Sequence, residues 1–379
     1  MISTRAETIS PFIVMEVLER AQQMERCGEH IVHLEVGEPD FDTPKKIVAA
    51  GQAALARGET HYTHSLGIWP LREAIADYYS RNYHVHISPD QVIVTSGTSP
   101  ALLLALSAIL NPGDEVICAD PSYACYKNFI AFIGARIHPV MVFEDDGFQF
   151  RPEQIKAKIT PKTKAILINS PSNPTGTLLS VPVMEQIAHL GPMVISDEIY
   201  HGLVYGDRAH SILEFTSNAI VLNGFSKLFA MTGWRLGYLI VPQALVRPIQ
   251  KLQQNLFISA NAFVQWAGVV ALTESHPEIE VMVATYDQRR RWLIQRLREL
   301  GFKISVEPKG AFYVFANAKH FNSNSYHFAF ELLENAKVAV TPGIDFGSNG
   351  EGFLRFSYAN SLENIQLGID RLERYLRSR

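Results

Sequence analysis

Between Val92 and Val241 short apolar runs alternate with longer stretches of helical periodicity, and no other feature narrows the possible folds of this chain as far. The runs are Val92–Thr95, Glu115–Ala119, Ala165–Asn169, Val194–Asp197, Ala219–Asn223 and Tyr238–Val241. A strand covered on both faces reads as a near-continuous aliphatic run, and parallel neighbours need a crossover of about a dozen residues or more. The segments Ala101–Leu110, Tyr123–Ile133, Val183–Leu190 and Leu245–Asn255 have the length and periodicity to be those crossover helices. The pattern predicts an α/β protein with a mostly parallel sheet flanked by helices.

Both ends read differently. An amphipathic helix over Pro11–Arg26 precedes a short strand at Ile31–Val36. A long Arg-rich helix over Ile279–Leu300 leads into strands at Lys303–Val306, Ala311–Phe315, Val338–Val340 and Phe353–Ser357, with helices at Ser325–Ala336 and Leu362–Leu376. This mixture predicts a smaller α+β domain made of residues 1–44 and 279–379, beside a large domain over 45–278. No Gly/Ser linker separates the two.

At 379 residues the chain can bury a large core, and 47% hydrophobic with 19% charged residues is ordinary for a globular protein. A net charge of −4 gives no sign of nucleic-acid binding, and the helical pattern around Arg289-Arg290-Arg291 favours a solvated face as the expectation there. The three cysteines, Cys27, Cys118 and Cys125, form neither a metal-spaced cluster nor a disulfide framework. The first dozen residues lack the apolar core of a secretion signal. The densest apolar run, Ala101–Leu110, is about half of the ~20 residues a membrane helix needs. A cytoplasmic protein that contacts neither membrane nor nucleic acid is the expectation.

Three strand ends carry chemistry. Lys227 follows the end of the Ala219–Asn223 run and is followed eight residues later by Arg235. Asp197 closes the run before it, and Asn173 follows the run before that in Asn173-Pro174-Thr175-Gly176. Each alone has a bland reading: a surface turn for Lys227, a helix cap for Asp197, a simple turn for Asn173. Together they deliver an amide, a carboxylate and an amine to the carboxyl edge of a sheet, where open α/β sheets bind ligands. A lysine whose pKa is lowered can form Schiff bases, and an arginine suits a phosphate. Ser96-Gly97-Thr98-Ser99 precedes a helix, a common turn that also favours an anion. Arg355 stands mid-strand among apolar residues, where a charge must be paired, either structurally or by a ligand.

These segments resemble the class I/II aminotransferases of fold type I, which use pyridoxal 5'-phosphate. The resemblance runs from Gly37-Glu38-Pro39-Asp40 to Arg355. It implies that Lys227 holds the cofactor as a Schiff base and later moves the substrate's Cα proton. It implies that Asp197 pairs with the pyridinium nitrogen and that Asn173 and Tyr200 bond the ring 3-oxygen. Tyr123 resembles the aromatic that stacks on the ring. Gly97, Thr98 and Ser99 resemble the phosphate loop, completed by Arg235 and Ser226. Gly224 stands where some relatives carry a serine, which removes one hydroxyl from that cup. Tyr62 resembles the tyrosine that reaches the phosphate of a neighbouring subunit, implying a homodimer with shared active sites. Arg355, Gly37 and Asn173 are the expected grip on the substrate carboxylate, and Gly310-Ala311-Phe312-Tyr313 resembles a segment lining the pocket.

The implied reaction moves the amino group of an L-amino acid to a 2-oxo acid such as 2-oxoglutarate. Some aspartate-preferring relatives carry a lysine near the position of Ser99 or an arginine in the region of Asn255–Asn261, and this chain has neither. Neutral or aromatic donors are therefore expected, with glutamate/2-oxoglutarate as a second pair; aspartate stays open, because Lys127 could serve a second carboxylate. The same scaffold also carries C–S/β-lyases and aminocyclopropane-carboxylate synthase-like enzymes, which stand as the alternative. A cofactor-binding regulator fused to a DNA-binding module is disfavoured because the chain shows no basic arm, and a cofactor-free binding protein would leave Lys227, Asp197, Asn173 and Arg235 as coincidence.

Overall fold

The structure is a computed structural model and describes residues 2–379. Strand β1 (Val32–His33) is short and pairs with a strand far along the chain. The next seven strands are β2 (Val92–Thr95), β3 (Glu115–Asp120), β4 (Arg136–Met141), β5 (Thr163–Asn169), β6 (Met193–Asp197), β7 (Ala219–Gly224) and β8 (Gly237–Ile240). They form one sheet in the order β2-β8-β7-β6-β5-β3-β4. All its pairings are parallel except those of β8, which runs antiparallel to both β2 and β7.

The aliphatic runs are continuous because each strand feeds two cores. Ile166 and Ile168 of β5 and Val194 of β6 pack on one face with Leu71, Ile75 and Ala267 from flanking helices. Their neighbours Ala165, Leu167 and Ile195 pack on the other face with Leu104, Leu106 and Ile249. This is the period-2 alternation of a strand, with both faces covered by helices.

A smaller sheet holds β9 (Tyr313–Asn317), β11 (Thr341–Pro342) and β12 (Phe353–Ser357) in the order β11-β12-β9, all antiparallel, while β10 (Val338–Ala339) pairs with β1. It has its own core, in which Tyr286, Leu293, Phe312, Leu354, Phe356 and Ile369 are fully buried. Among the described residues no helix is long and apolar enough to cross a membrane.

Some local expectations fail. Lys303–Val306 is no strand; only an isolated bridge joins Lys303 to Asn317. Strand β4, unexpected from the sequence, contains Pro139 and lies at the edge of the sheet, where a missing N–H costs least. Helices over Lys45–Ala56, Trp69–Tyr83 and Ala262–Thr273 were also not anticipated, although together they cover one face of the large sheet. The expected helix at Tyr123 begins only at Tyr126, which leaves Tyr123 in the preceding turn.

Candidate active site

Strands β5, β6 and β7 are adjacent, so the residues at their carboxyl ends converge. Asp197 is the last residue of β6, and Lys227 follows β7 by three positions. Asn169, at the end of β5, ties this edge together: its amide donates to the Asp197 carbonyl at 2.9 Å and its Oδ1 accepts the Asn173 N–H at 2.8 Å. A cavity of about 330 Å³ opens above the edge. Of the residues singled out in the sequence, Gly37, Thr98, Ser99, Tyr123, Asn173, Asp197, Tyr200, Ser226, Lys227, Arg235 and Arg355 all line it.

Lys227 is half-buried, and its Nζ donates to the Gly37 carbonyl at 2.6 Å. Loss of solvent pulls its pKa from 10.5 down to about 8; the carboxylate of Glu38 works against this, and the cations of Arg355 and Arg235 add to it. The Asp197 carboxyl moves the other way. Burial pushes it up, opposed by the Tyr126 hydroxyl, which donates at 2.7 Å, and by the Ile199 N–H at 3.2 Å. A desolvated carboxylate of this kind is an acceptor suited to a cation or a protonated ring nitrogen.

At one end of the cavity the helix Thr98–Ile109 begins immediately after Gly97, so unpaired N–H groups and the positive end of its dipole face inward. Gly97 has φ of +98°, and a Cβ there would lie 2.7 Å from Nη2 of Arg235. A glycine is thus needed both for the backbone and for the arginine's approach. Gly224 is similarly confined: a Cβ would lie 3.0 Å from the Leu236 carbonyl and 3.2 Å from Thr98 Cγ2.

At the other end Arg355, 3% exposed, projects from β12. Its Nη1 donates to Asn173 Oδ1 at 2.9 Å, and its Nη2 donates to the Glu35 carbonyl at 2.5 Å and to Thr341 Oγ1 at 3.1 Å. Its Nε is buried and without a partner. The charge has no carboxylate of the protein within salt-bridge distance, so a structural ion pair, the bland reading, does not hold among the described residues. A guanidinium held in this way has the chemistry to receive a carboxylate.

Three residues considered from the sequence stand apart from the lining. Gly97 lies just behind it as the cap of its helix. Tyr62 is 82% exposed and outside the cavity of its own chain. Lys127 does not line the cavity either; its Nζ donates to the Asp345 carbonyl at 3.3 Å. Tyr126 and Asn169 belong to the site and were missed, while Tyr313 lines it as the Gly310–Tyr313 resemblance implied. Tyr126 falls three residues after Tyr123, which in the expected helix Tyr123–Ile133 would put both on one face, and that spacing is the signal that could have found it. The lining also includes apolar side chains from the N-terminal helix region, namely Phe12, Val14, Met15 and Leu18.

The geometry agrees with what comparison finds. The model of the family "Aminotransferase class I and II" matches residues 29–372. The (5-formylfuran-3-yl)methyl phosphate transaminase of Methanocaldococcus jannaschii is 46% identical over 99% of this chain and 100% of its own length. The aspartate aminotransferase of Pyrococcus horikoshii is 39% identical over 99% of this chain and 97% of its own. A Methanococcus jannaschii crystal structure, described as similar in its active site to kynurenine aminotransferases, superposes with a TM-score of 0.92 at 44% identity, covering 99% of this chain and 100% of that one. A lysine, a carboxylate and two arginines around one cavity, on a fold shared end to end with such enzymes, make this chain a member of the class I and II aminotransferases, which work with pyridoxal 5'-phosphate.

Proposed function

We propose that this aminotransferase takes the amino group from an L-amino acid with a neutral or aromatic side chain and passes it to a 2-oxo acid such as 2-oxoglutarate. The carrying observation is the charge inventory of the cavity. Among the described residues lining it, the cations are Lys227, Arg235 and Arg355 alone. Cofactor attachment, phosphate and α-carboxylate account for all three, which leaves none of this chain's own cations for a side-chain carboxylate beside Phe12–Leu18. A ring-bearing substrate is supported by the jannaschii relative named for a furan phosphate and by the jannaschii structure likened to kynurenine aminotransferases.

The residues fit the cofactor. A cradle that a Cβ at Gly97 would fill, beside a helix N-terminus and Arg235, suits its phosphate. The raised carboxyl of Asp197 suits its ring nitrogen. When bound, pyridoxal phosphate supplies a carbonyl that condenses with amines and a ring that accepts the electron pair of the substrate Cα.

In this reading Lys227 supplies the amine that holds the cofactor, and after release its Nζ takes the proton from the substrate Cα. Asp197 keeps a proton on the ring nitrogen. Thr98, Ser99, Ser226 and Arg235 bind the phosphate, and Tyr123 covers the ring. Asn173 and Tyr200 bond the 3-oxygen. Arg355, with Asn173 and Gly37, orients the substrate's carboxylate and excludes water from it. Residues 45–278 then bind the cofactor, while 1–44 and 279–379 bring Arg355 and the apolar side chains of Phe12, Val14, Met15 and Leu18. The exposure of Tyr62 supports its serving the cavity of a second copy in a homodimer.

The donor panel tests this reading. Single amino acids are added to the yellow holoenzyme without a 2-oxo acid, and the visible band is followed. Bleaching is expected with aromatic and neutral donors, and recovery on adding 2-oxoglutarate. Bleaching by aspartate with none by phenylalanine, tyrosine or alanine would overturn the substrate assignment. Ammonia released from a single substrate with the band intact would instead mark a lyase.

The lowered pKa of Lys227 has a signed consequence for cofactor loading. Only the neutral amine condenses, and its fraction rises with pH. With a pKa of about 8, roughly a tenth is neutral at pH 7, against about one part in 3,000 for an ordinary lysine. Loading of the stripped protein is therefore expected to speed up about tenfold per pH unit below 8 and to level off above it. Stopped-flow absorbance measures this; a rate still climbing tenfold per unit well above pH 9 would contradict the shift.

A further inference from the structure

The Tyr313 side chain touches both halves of the site, although the resemblance placed only its segment along the pocket and gave this residue no role of its own. Its ring is 1% exposed, and its hydroxyl lies 2.9 Å from that of Tyr200. The Arg355 guanidinium sits 4.2 Å from the centroid of its ring. In the ladder of β9 and β12, Tyr313 pairs with Ser357 and Phe315 with Arg355. Tyr313 and Arg355 are therefore diagonal neighbours on one face, within reach of long side chains. The loop before them closes on the same hydroxyl: a Cβ on Gly37 would lie 2.1 Å from it.

The hydroxyl pair has a direction that matters. Two phenols sharing one hydrogen bond have a donor and an acceptor. If Tyr200 donates to Tyr313, its only proton is used up. If Tyr313 donates, Tyr200 keeps its proton free for another acceptor. The Arg355 cation against the Tyr313 ring makes that phenol the more acidic of the two and hence the better donor. Burial pushes both phenols upward, so both are protonated at neutral pH. The other charged groups lining the cavity around the pair are Lys227, Asp197, Glu38 and Arg235.

We propose that Tyr313 is a positioning residue for both ends of the reaction: its hydroxyl donates to Tyr200 and turns that phenol's own proton into the cavity, while its ring supports the Arg355 guanidinium. The inference rests on the roles of Tyr200 and Arg355 proposed above. A proton donated by Tyr200 to the cofactor's 3-oxygen favours the anionic form of that oxygen, so a misdirected Tyr200 raises the pH at which the holoenzyme's visible band titrates. The ring contact acts separately, on the substrate's carboxylate.

Three variants separate these effects. Tyr313→Phe removes the hydroxyl and keeps the ring. It is expected to raise the pH midpoint of the visible band by about half a unit or more, with the affinity for a non-reacting 2-methyl amino acid changed by less than about twofold. Tyr313→Leu also removes the ring and is expected to weaken that affinity about tenfold or more. Tyr200→Phe is the reference for the midpoint. If Tyr200→Phe moves it and Tyr313→Phe does not, the positioning role falls while the reading of Tyr200 stands. If neither moves it, the reading of Tyr200 falls and takes the inference with it. Should Tyr313→Leu fail to fold, the Tyr313→Phe midpoint still decides.

Discussion

Lys227→Ala is expected to lower turnover by at least about 10⁴-fold, equivalent to 5–6 kcal/mol of transition-state stabilisation. Two losses add up: the amine that holds the cofactor and the base that moves the Cα proton. No other amine lines the cavity among the described residues, so none substitutes. Stability should not fall with activity. The folded lysine has its pKa pulled from 10.5 to about 8, so folding penalises its protonated form. That penalty is complete below pH 8 and fades as pH rises from 8 to 10.5, because over that window the unfolded chain binds more protons than the folded one. At pH 7 the alanine protein should melt, without cofactor, no lower than the parent. Steady-state assays and thermal melts check the two halves independently. Near-parental turnover would remove Lys227 from the chemistry, and a collapsed melt would make it structural.

Asp197→Ala is expected to cost about 10³-fold or more in turnover, since the ring nitrogen would no longer be kept protonated and the ring would accept electrons poorly. Its effect on folding is smaller and of definite origin. The Tyr126 hydroxyl loses the carboxylate to which it donates at 2.7 Å, and the Ile199 N–H loses its partner. Stranded polar groups cost about 1–3 kcal/mol, offset by relief of a carboxylate that burial disfavours. A melting point within a few degrees of the parent with turnover nearly gone is the expected pair of results. The reverse pair, an unfolded protein with normal activity in its folded remainder, would make Asp197 a structural residue.

Much of the fold and the site was legible because the strands are buried on both faces. Continuous runs such as Ala-Ile-Leu-Ile in β5 have few alternatives in a chain of this length, and the polar residue that ends each run is exposed to whatever binds at the sheet edge. Arg355 could be found because a charge amid Phe353-Leu354 and Phe356 is costly without a purpose. Less was visible where local signals conflict with context. Pro139 disguised β4, which is permitted only by its edge position, and the alternation in Lys303–Val306 finds just one bridging partner. Tyr126 reads as an ordinary core aromatic and Tyr313 only as part of a pocket-lining segment, since their partners lie 71 and 113 residues away.

By itself the sequence determined the parallel α/β plan and the order of Asn173, Asp197 and Lys227 along the sheet edge, because hydrophobic periodicity and strand-end polarity are local properties. Only the tertiary structure decided which cation faces which end of the cavity, that Arg355 is met by amide and carbonyl oxygens instead of a carboxylate, and that Tyr313 joins Tyr200 to Arg355. Those depend on β12 and the Gly37 loop, more than 300 residues apart in the chain, closing on the same space. Burial there changes proton affinities in ways no local pattern encodes.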